Sequence, residues 1–574
     1  MTPTLDTRFC RSGARRTDYL PFVATASLFL IVAVLLSPSS VLPRVPWRAN
    51  GLKPELLMGI QLTRLLLLVG AGFAVVSGWF HQRYRLMVGG ETFRFRWKHS
   101  DLAIGAVLLS VASMVRLHGL SGSLIGDETL TLVGIVRRGL PAIVAWSAGA
   151  NNHFLNSALT YCATQLFGET TWSVRLASFV IGAATPAVTY LVGITFLPRL
   201  TMLLTASLMT LQVHYIDYSG QSRGYAGFIL FGILSSCLFR LLCQSPTRKV
   251  ATSYVAASTL ACGFLLPAIC CPLTHVVAAA FLATREAVRK RAPERILHWR
   301  RVLILALWGL ILGLLMNVLT IPQVLDYSRH PTDNVHIPMG RLLGFGILQY
   351  STGAYRVTAV FVLLLAAAAG WFRYRKSPCL LIAVLGPPLA YLAGFTLVGL
   401  HGSPRLFLSL GFPVMLGLGM LAHCEWASRA LLRRVAAVAV LGVFLIDAIP
   451  ELLSYYHVGN PDLRSVAIRI TPGRLLVAGE HPGVRRSLPN PATRYYFPES
   501  PWMSWNMDEG IVLGDLAAVD PQFIVFQTSR CPNGELKGVN REGYHEIERL
   551  GSWRNVYPVS DERGFRICYV IYGR

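Results

Sequence analysis

Asp127 and Glu128 stand side by side in what reads as a polar loop, GDETLTLVGIVRRG, just past the apolar run 102–115. Adjacent carboxylates at the mouth of a membrane span are costly to dehydrate and seldom needed for packing. Their chemistry suits proton transfer, cation binding or the orientation of a hydroxyl nucleophile. Other polar segments break the hydropathy pattern further along. AGANNHFLNSALTYCATQLFG carries Asn151, Asn152 and His153, and TWSVRLAS carries Arg175. YIDYSGQSRGYA carries Asp217, Tyr218, Gln221, Arg223 and Tyr225, DYSRHPTDNVHIP carries His330 and His336, and HGSPRLF carries His401 and Arg405. A guanidinium holds phosphate oxygens in a two-point fork, so Arg223 and Arg405 are candidates for an anionic group. Plainer uses stand beside these: a span-end arginine such as Arg175 snorkels to lipid headgroups, and a loop histidine is ordinarily solvated. His330 and His336 are metal-ligand candidates by residue type, and a divalent cation is an open expectation.

The elements that must position these residues are membrane helices. The chain has 574 residues, 53% hydrophobic and 14% charged, with a mean hydropathy of +0.49. That is far more apolar surface than one soluble core would bury. Spans are expected over residues 20–37, 60–80, 101–118, 172–197, 200–216, 224–243, 251–268, 272–285, 302–321, 356–372, 379–400, 406–423 and 433–451, about thirteen in all. The stretch 251–285 must hold two short spans turning near Pro267 and Pro272. The net charge of +24 does not mark a nucleic-acid binder, because the basic residues cluster in alternate short connections rather than on one face. Those clusters, among them Arg83 to Lys98 and Arg285 to Arg301, place the N-terminus in the cytoplasm and the C-terminus outside.

The first apolar run follows Arg8 to Arg16 but lacks a small-residue cleavage site, so it reads as a retained anchor rather than a signal peptide. The Arg-rich, Lys-poor usage fits a high-GC bacterium and its inner membrane. Most of the 11 cysteines fall in or beside spans, where they behave as small apolar residues. Cys531 and Cys568 are the two in the C-terminal segment and could pair if it is exported. From about Gly459 onward, β-rich runs at 474–478, 523–526 and 567–571 alternate with turn clusters, with a possible helix near Leu516. A small soluble α/β domain is expected there, most simply as a packing or partner-contact module.

The order of four motifs carries a resemblance: an Asp-Glu pair after a span, an Asn- and His-rich juxtamembrane helix ending in FG, a W-x-x-R-L-A-S span start and a Y-S-x-x-x-R-G-Y hinge. Together they resemble the multi-spanning GT-C glycosyltransferases, in the branch that contains the bacterial aminoarabinose transferase, the protein mannosyltransferases and the RgtA-like sugar transferases. The match is specific over residues 101–225. It is weaker through Arg405, where SPRLFLSLGFP is similar to that family's late P-R-Y-hydrophobic segment.

The resemblance implies a polyprenyl-phosphate sugar donor, bound at the outer face together with membrane lipid, and an acceptor that is a lipid, a polysaccharide or a protein. It implies that Asp127 takes the acceptor hydroxyl proton or orients that hydroxyl, and that Glu128 supports it or binds a cation. Asn152, His153, Arg175, Tyr218, Gln221, Arg223, Tyr225 and Arg405 are the expected substrate-binding set. The chain departs from one branch at Asn151, Asn152 and His153, which stand where that branch has Glu-Lys-Pro, removing a carboxylate ligand from that point. The expected division is residues 1–100 as additional N-terminal spans, 101–455 as the GT-C transmembrane domain and 456–574 as the extracytoplasmic α/β domain. A transporter or flippase and a non-catalytic envelope scaffold are the competing readings. A transporter would favour midplane charges or an internal repeat, and a scaffold would have no use for Asp127.

Overall fold

The computed structural model describes residues 19–36, 54–84, 86, 97–147, 151–289, 293–329, 347–353, 356–373, 378–398, 404–426, 431–458 and five strands between 475 and 573. In chain order the helices are α1 (Leu20–Leu35), α2 (Pro54–Tyr84), α3 (His99–Ser121), α4 (Gly126–Gly134), α5 (Leu140–Ala145), α6 (Phe154–Phe167), α7 (Thr171–Gly193), α8 (Arg199–Leu211), α9 (Val213–Ser219) and α10 (Tyr225–Leu242). There follow α11 (Arg248–Phe264), α12 (Cys270–Val288), α13 (Pro293–Leu315), α14 (Ile321–Arg329), α15 (Ile347–Thr352), α16 (Val357–Arg373), α17 (Pro378–Val398), α18 (Gly411–Trp426) and α19 (Leu431–Val458).

Among the described residues, eight helices are long and apolar enough to cross a membrane: α2, α3, α7, α10, α12, α13, α18 and α19. Shorter apolar helices are α1, α8, α16 and most of α17. The chain is an integral membrane protein. The stretch expected to span at 251–268 is α11, a 17-residue helix diluted by Arg248, Lys249, Thr252, Ser253 and Thr259, which falls outside both groups. A 3-10 turn at Leu266–Ile269 joins it to α12.

Without a solvent-driven hydrophobic effect inside lipid, helices associate where small residues let backbones approach. The inner face of α3 shows this, with Gly105, Ala112 and Gly119 among its buried residues, and α7 answers with Gly182, Ala183 and Ala187. Charge fixes the opposite end of this pair: Arg199, opening α8, donates to both oxygens of Asp101 on α3 at 2.6 and 2.8 Å. The main core gathers residues of α7, α8, α10, α16 and α18. The first two helices pack together and against α13, through Phe29, Ala71 and Trp308.

The segment after α3 is a helix, not the loop that its polarity suggests. Its initiation is local. Glu128 sits at the third helical position, and its Oε2 accepts the Ile125 backbone N–H at 2.9 Å, satisfying a donor that the helix start leaves open. The C-terminal strands β1 (Leu475–Glu480), β2 (Trp502–Trp505), β3 (Phe523–Thr528), β4 (His545–Gly551) and β5 (Cys568–Gly573) form one mixed sheet in the order β2-β1-β3-β5-β4. β1 pairs in parallel with β2 and β3, while β5 runs antiparallel to β3 and β4. Three of these strands lie on the three β-rich runs read from sequence. Leu516, Cys531, His330 and His336 lie outside the described residues.

Candidate active site

Five segments meet at one end of the bundle: the end of α3, the start of α4, the residues before α6, the first turn of α7 and the hinge 217–225 between α9 and α10. The hinge can enter this crossing because glycine leaves it room. A Cβ on Gly119 would lie 2.9 Å from the Gly220 Cα, and one on Gly224 would lie 1.8 Å from the Phe264 carbonyl oxygen.

Glu128 and Arg175 form the inner pair, each with a side chain 0% exposed. Arg175 grips the carboxylate with two parallel bonds, Nε to Oε1 at 2.9 Å and Nη2 to Oε2 at 2.6 Å. Its remaining N–H groups reach the carbonyls of Gly119, Gly122 and Ser123 at 2.6 to 2.9 Å. The Ser222 backbone N–H also donates to Glu128 Oε1, at 2.6 Å. One buried ion pair thus ties α4, α7, the end of α3 and the hinge. A buried pair of this kind is tolerable only because every remaining lone pair and proton finds a partner.

Asp127, one residue earlier, forms the outer pair. Its side chain is 38% exposed, and its Oδ2 lies 2.6 Å from Nη1 of Arg223, which is 3% exposed. Arg223 also donates from Nη2 to Asn151 Oδ1 at 3.0 Å. Asn151 in turn donates to the Asp127 carbonyl at 3.0 Å, closing a three-residue ring. The guanidinium carbon lies 5.1 Å from the Tyr225 ring centroid, within cation–π range. The Nε of Arg223 has no hydrogen-bond partner among the described residues. The outcome is a partly exposed carboxylate backed by a buried cation, with one donor edge of that cation unspent.

The other expected site residues divide. Gln221 is buried and donates to Asp217 Oδ2 at 3.0 Å. Tyr218 and Tyr225 pack with ring centroids 4.6 Å apart, and His153 packs on Tyr225 at 5.8 Å. Asn152 is engaged locally: its amide donates to the Ile143 and Trp146 carbonyls at 2.7 and 2.6 Å, and its oxygen accepts from Ser157 at 3.0 Å. These bonds fold the connection into α6. Arg175, expected to bind substrate, and Glu128, expected to support Asp127 or bind a cation, are bonded to each other in the inner pair. Arg405 opens the 3-10 helix Pro404–Leu410, and its side chain lies outside the described residues.

Four participants were missed. Asn151 registered only as a departure from a family pattern, yet it bridges Asp127 and Arg223. Tyr350, on α15, brings its hydroxyl within 3.4 Å of that of Tyr218 and stacks on His214 at 4.2 Å; nothing in ILQYST announces this. Arg116 is buried and donates to Ser219 Oγ at 3.2 Å, and a lone arginine near the end of an apolar run was its signal. Asp217 was noticed without a role. It lies on α9 between spans, 9% exposed. Burial pushes its carboxyl up to about 7, with Glu128 adding to the rise and Gln221, Arg175 and Arg223 opposing it.

Among the described residues, no three His, Cys, Asp or Glu side chains gather to hold a metal ion. Both oxygens of Glu128 are already occupied by N–H donors.

No family model matches the chain, and no curated protein matches it. Among solved structures it is similar to ArnT from Cupriavidus metallidurans bound to undecaprenyl phosphate, at 15% identity and TM-score 0.45, covering 82% of this chain and 97% of that chain. The apo state of the same protein matches at 15% identity and TM-score 0.45, covering 82% and 98%.

Proposed function

We propose that the chain is a membrane glycosyltransferase that moves a sugar from a polyprenyl-phosphate donor to an acceptor hydroxyl on the extracytoplasmic face. The observation that carries this reading is the outer pair: a partly exposed Asp127 carboxylate held at 2.6 Å by the buried guanidinium of Arg223. It supplies a proton acceptor and a phosphate-binding cation at one point, where a membrane span meets water.

The chemistry asks little more. A lipid phosphate is a good leaving group, so no covalent intermediate is needed. Asp127 accepts the proton of the acceptor hydroxyl as that oxygen attacks the anomeric carbon. As the bond from that carbon to the phosphate oxygen lengthens, Arg223 stabilises the charge that gathers on the leaving phosphate, and we assign Arg405 the same task. Asn151 keeps the Asp127 and Arg223 side chains in register, and the Glu128–Arg175 pair holds their backbones. The prenyl tail lies among the spans. Residues 101–455 form the catalytic unit in a bacterial inner membrane, preceded by two further spans and followed by an extracytoplasmic domain from residue 456.

The test is transfer by the purified protein from a panel of synthetic polyprenyl-phosphate sugars to lipid, polysaccharide and peptide acceptors. Transfer in the wild type that is lost in Asp127→Asn is the expected result. Equal turnover by both proteins overturns the assignment of Asp127.

A further inference from the structure

Three carboxyl groups surround the hinge, Asp127, Glu128 and Asp217, but the described cations that face them are two, Arg175 and Arg223. Each cation is already committed. Arg175 is bonded twice to Glu128 and to three carbonyls, and Arg223 is bonded to Asp127 and Asn151. Asp217 has no ion pair among the described residues. Its one side-chain bond there is the donation from Gln221 to Oδ2 at 3.0 Å, made on its own segment.

Among the described residues, the elements packed on α9 bring no further cation to it. From α3, Arg116 is directed to Ser219 and to the carbonyls of Ala112 and Thr210. From α19, the nearby titratable groups are Tyr455 and Tyr456; Tyr455 reaches toward Gly119 and Gly220, and Tyr456 donates to the Val115 carbonyl. From α10 the hinge meets Tyr225, and from α4 and α7 the groups are Glu128 and Arg175. On α9 itself, His214 is stacked on Tyr350. With all three carboxyls ionised, the described side chains of the cluster carry one more negative charge than positive, the wrong sign for binding phosphate.

We propose that Asp217 works as a neutral carboxylic acid that donates a hydrogen bond to a phosphate oxygen of the donor. This rests on the transferase reading above and adds to it the protonation state of one residue. A protonated carboxyl offers one O–H donor and keeps an acceptor for Gln221, so the role needs no change in the observed Gln221 bond. Neutrality also balances the described side chains, leaving two carboxylates against two guanidiniums, so that Arg405 is left to meet the charge of the phosphate itself. Burial of the group points the same way, since desolvation disfavours the charged form. No bond is made or broken at Asp217.

The experiment compares full-length wild type, Asp217→Asn and Asp217→Ala in proteoliposomes, with donor saturation curves from below to above neutral pH. The wild-type KM for donor is expected to rise with pH, approaching about tenfold per unit on the alkaline side. Asn keeps a neutral N–H donor, so Asp217→Asn should abolish that dependence, while Asp217→Ala should raise KM at every pH. Parallel KM–pH profiles in wild type and Asp217→Asn overturn the proposal. Infrared difference spectra between Asp217→Asn and wild type at neutral pH give a readout independent of turnover. A protonated-carboxyl band in wild type that is missing from Asp217→Asn supports the proposal, and its absence from wild type overturns it. If the wild type transfers no sugar from any donor, the transferase reading fails while the infrared band still decides the state of Asp217.

Discussion

Asp127 and Glu128 are neighbours in sequence with different tasks, because a helix turns successive side chains about 100° apart. One carboxylate faces the opening and the other faces the bundle, where Arg175 consumes it. Asp127→Asn should therefore lower transfer at least about 100-fold, with folding unchanged, because its side chain is 38% exposed; turnover beside a melting curve checks both halves. Arg223→Lys should weaken donor use more than acceptor use, since an ammonium cannot hold both Asp127 and Asn151 and still offer a fork to phosphate. Separate KM values for the two substrates read this out. Asp217 makes an opposite prediction from an ordinary acid. Its folded-state carboxyl titrates near 7, above the unfolded value, so the folded state binds more protons across the interval between them. Stability should fall as pH rises from about 4 towards 7, with a limiting slope of about 1.4 kcal/mol per unit, and then level off. Asp217→Asn should remove that slope in denaturation midpoints measured across the interval. The residue types of this site were legible in the sequence. Which carboxylate meets which guanidinium was not, because that depends on helix phase.

At the scale of elements, the site depends on the hinge 217–225 entering a crossing of helices, and the inner ion pair locks it there. Removing one partner of a buried pair strands the other charge at a cost of about 3–5 kcal/mol. Glu128→Ala should therefore lower the melting temperature markedly and inactivate through misplacement, whereas the double variant Glu128→Ala with Arg175→Met should recover part of the lost stability. Melting curves of wild type and these two variants decide this; a Glu128→Ala variant as stable as wild type would contradict the locking role. Gly224→Ala should be similarly damaging without any change of charge, since its Cβ would fall 1.8 Å from the Phe264 carbonyl oxygen and backbone cannot rotate aside. The motif around Arg223 was legible as an unusual polar run between spans. Its contact with Phe264 was not, since 40 positions of chain separate the two and nothing local encodes the approach. The polarity of the segment at Asp127 suggests a loop, yet a glutamate three residues after Ile125 is a helix-start signal, and its carboxylate accepts the Ile125 N–H.

For the whole molecule, hydropathy carried the architecture further than any motif, because a bilayer permits helices and closed barrels and little else. Eight of the expected spans fall on helices long and apolar enough to cross a membrane, while the one at 200–216 breaks at Gln212 and the pair at 251–285 separates at Leu266–Ile269. Orientation is a different matter, since helix positions are indifferent to which side is cytoplasm and the charge pattern alone distinguishes them. Asp101 and Arg199 lie at one end of α3 and α8, and the Asp127–Arg223 pair lies beyond the other end of α3, so a span separates the two ion-pair clusters. The basic clusters at Arg83 to Lys98 and Arg285 to Arg301 should stay in the cytoplasm, which puts the Asp101 end inside and the Asp127 end outside. A cysteine placed at Ser121, the last residue of α3 and exposed, should then react with an impermeant maleimide added to intact cells or spheroplasts. A cysteine placed at exposed His99, at the start of the same helix, should react only after the membrane is opened. Reversal of that labelling would put the Asp127–Arg223 pair on the cytoplasmic side and, on the proposed reading, require a donor made and used there.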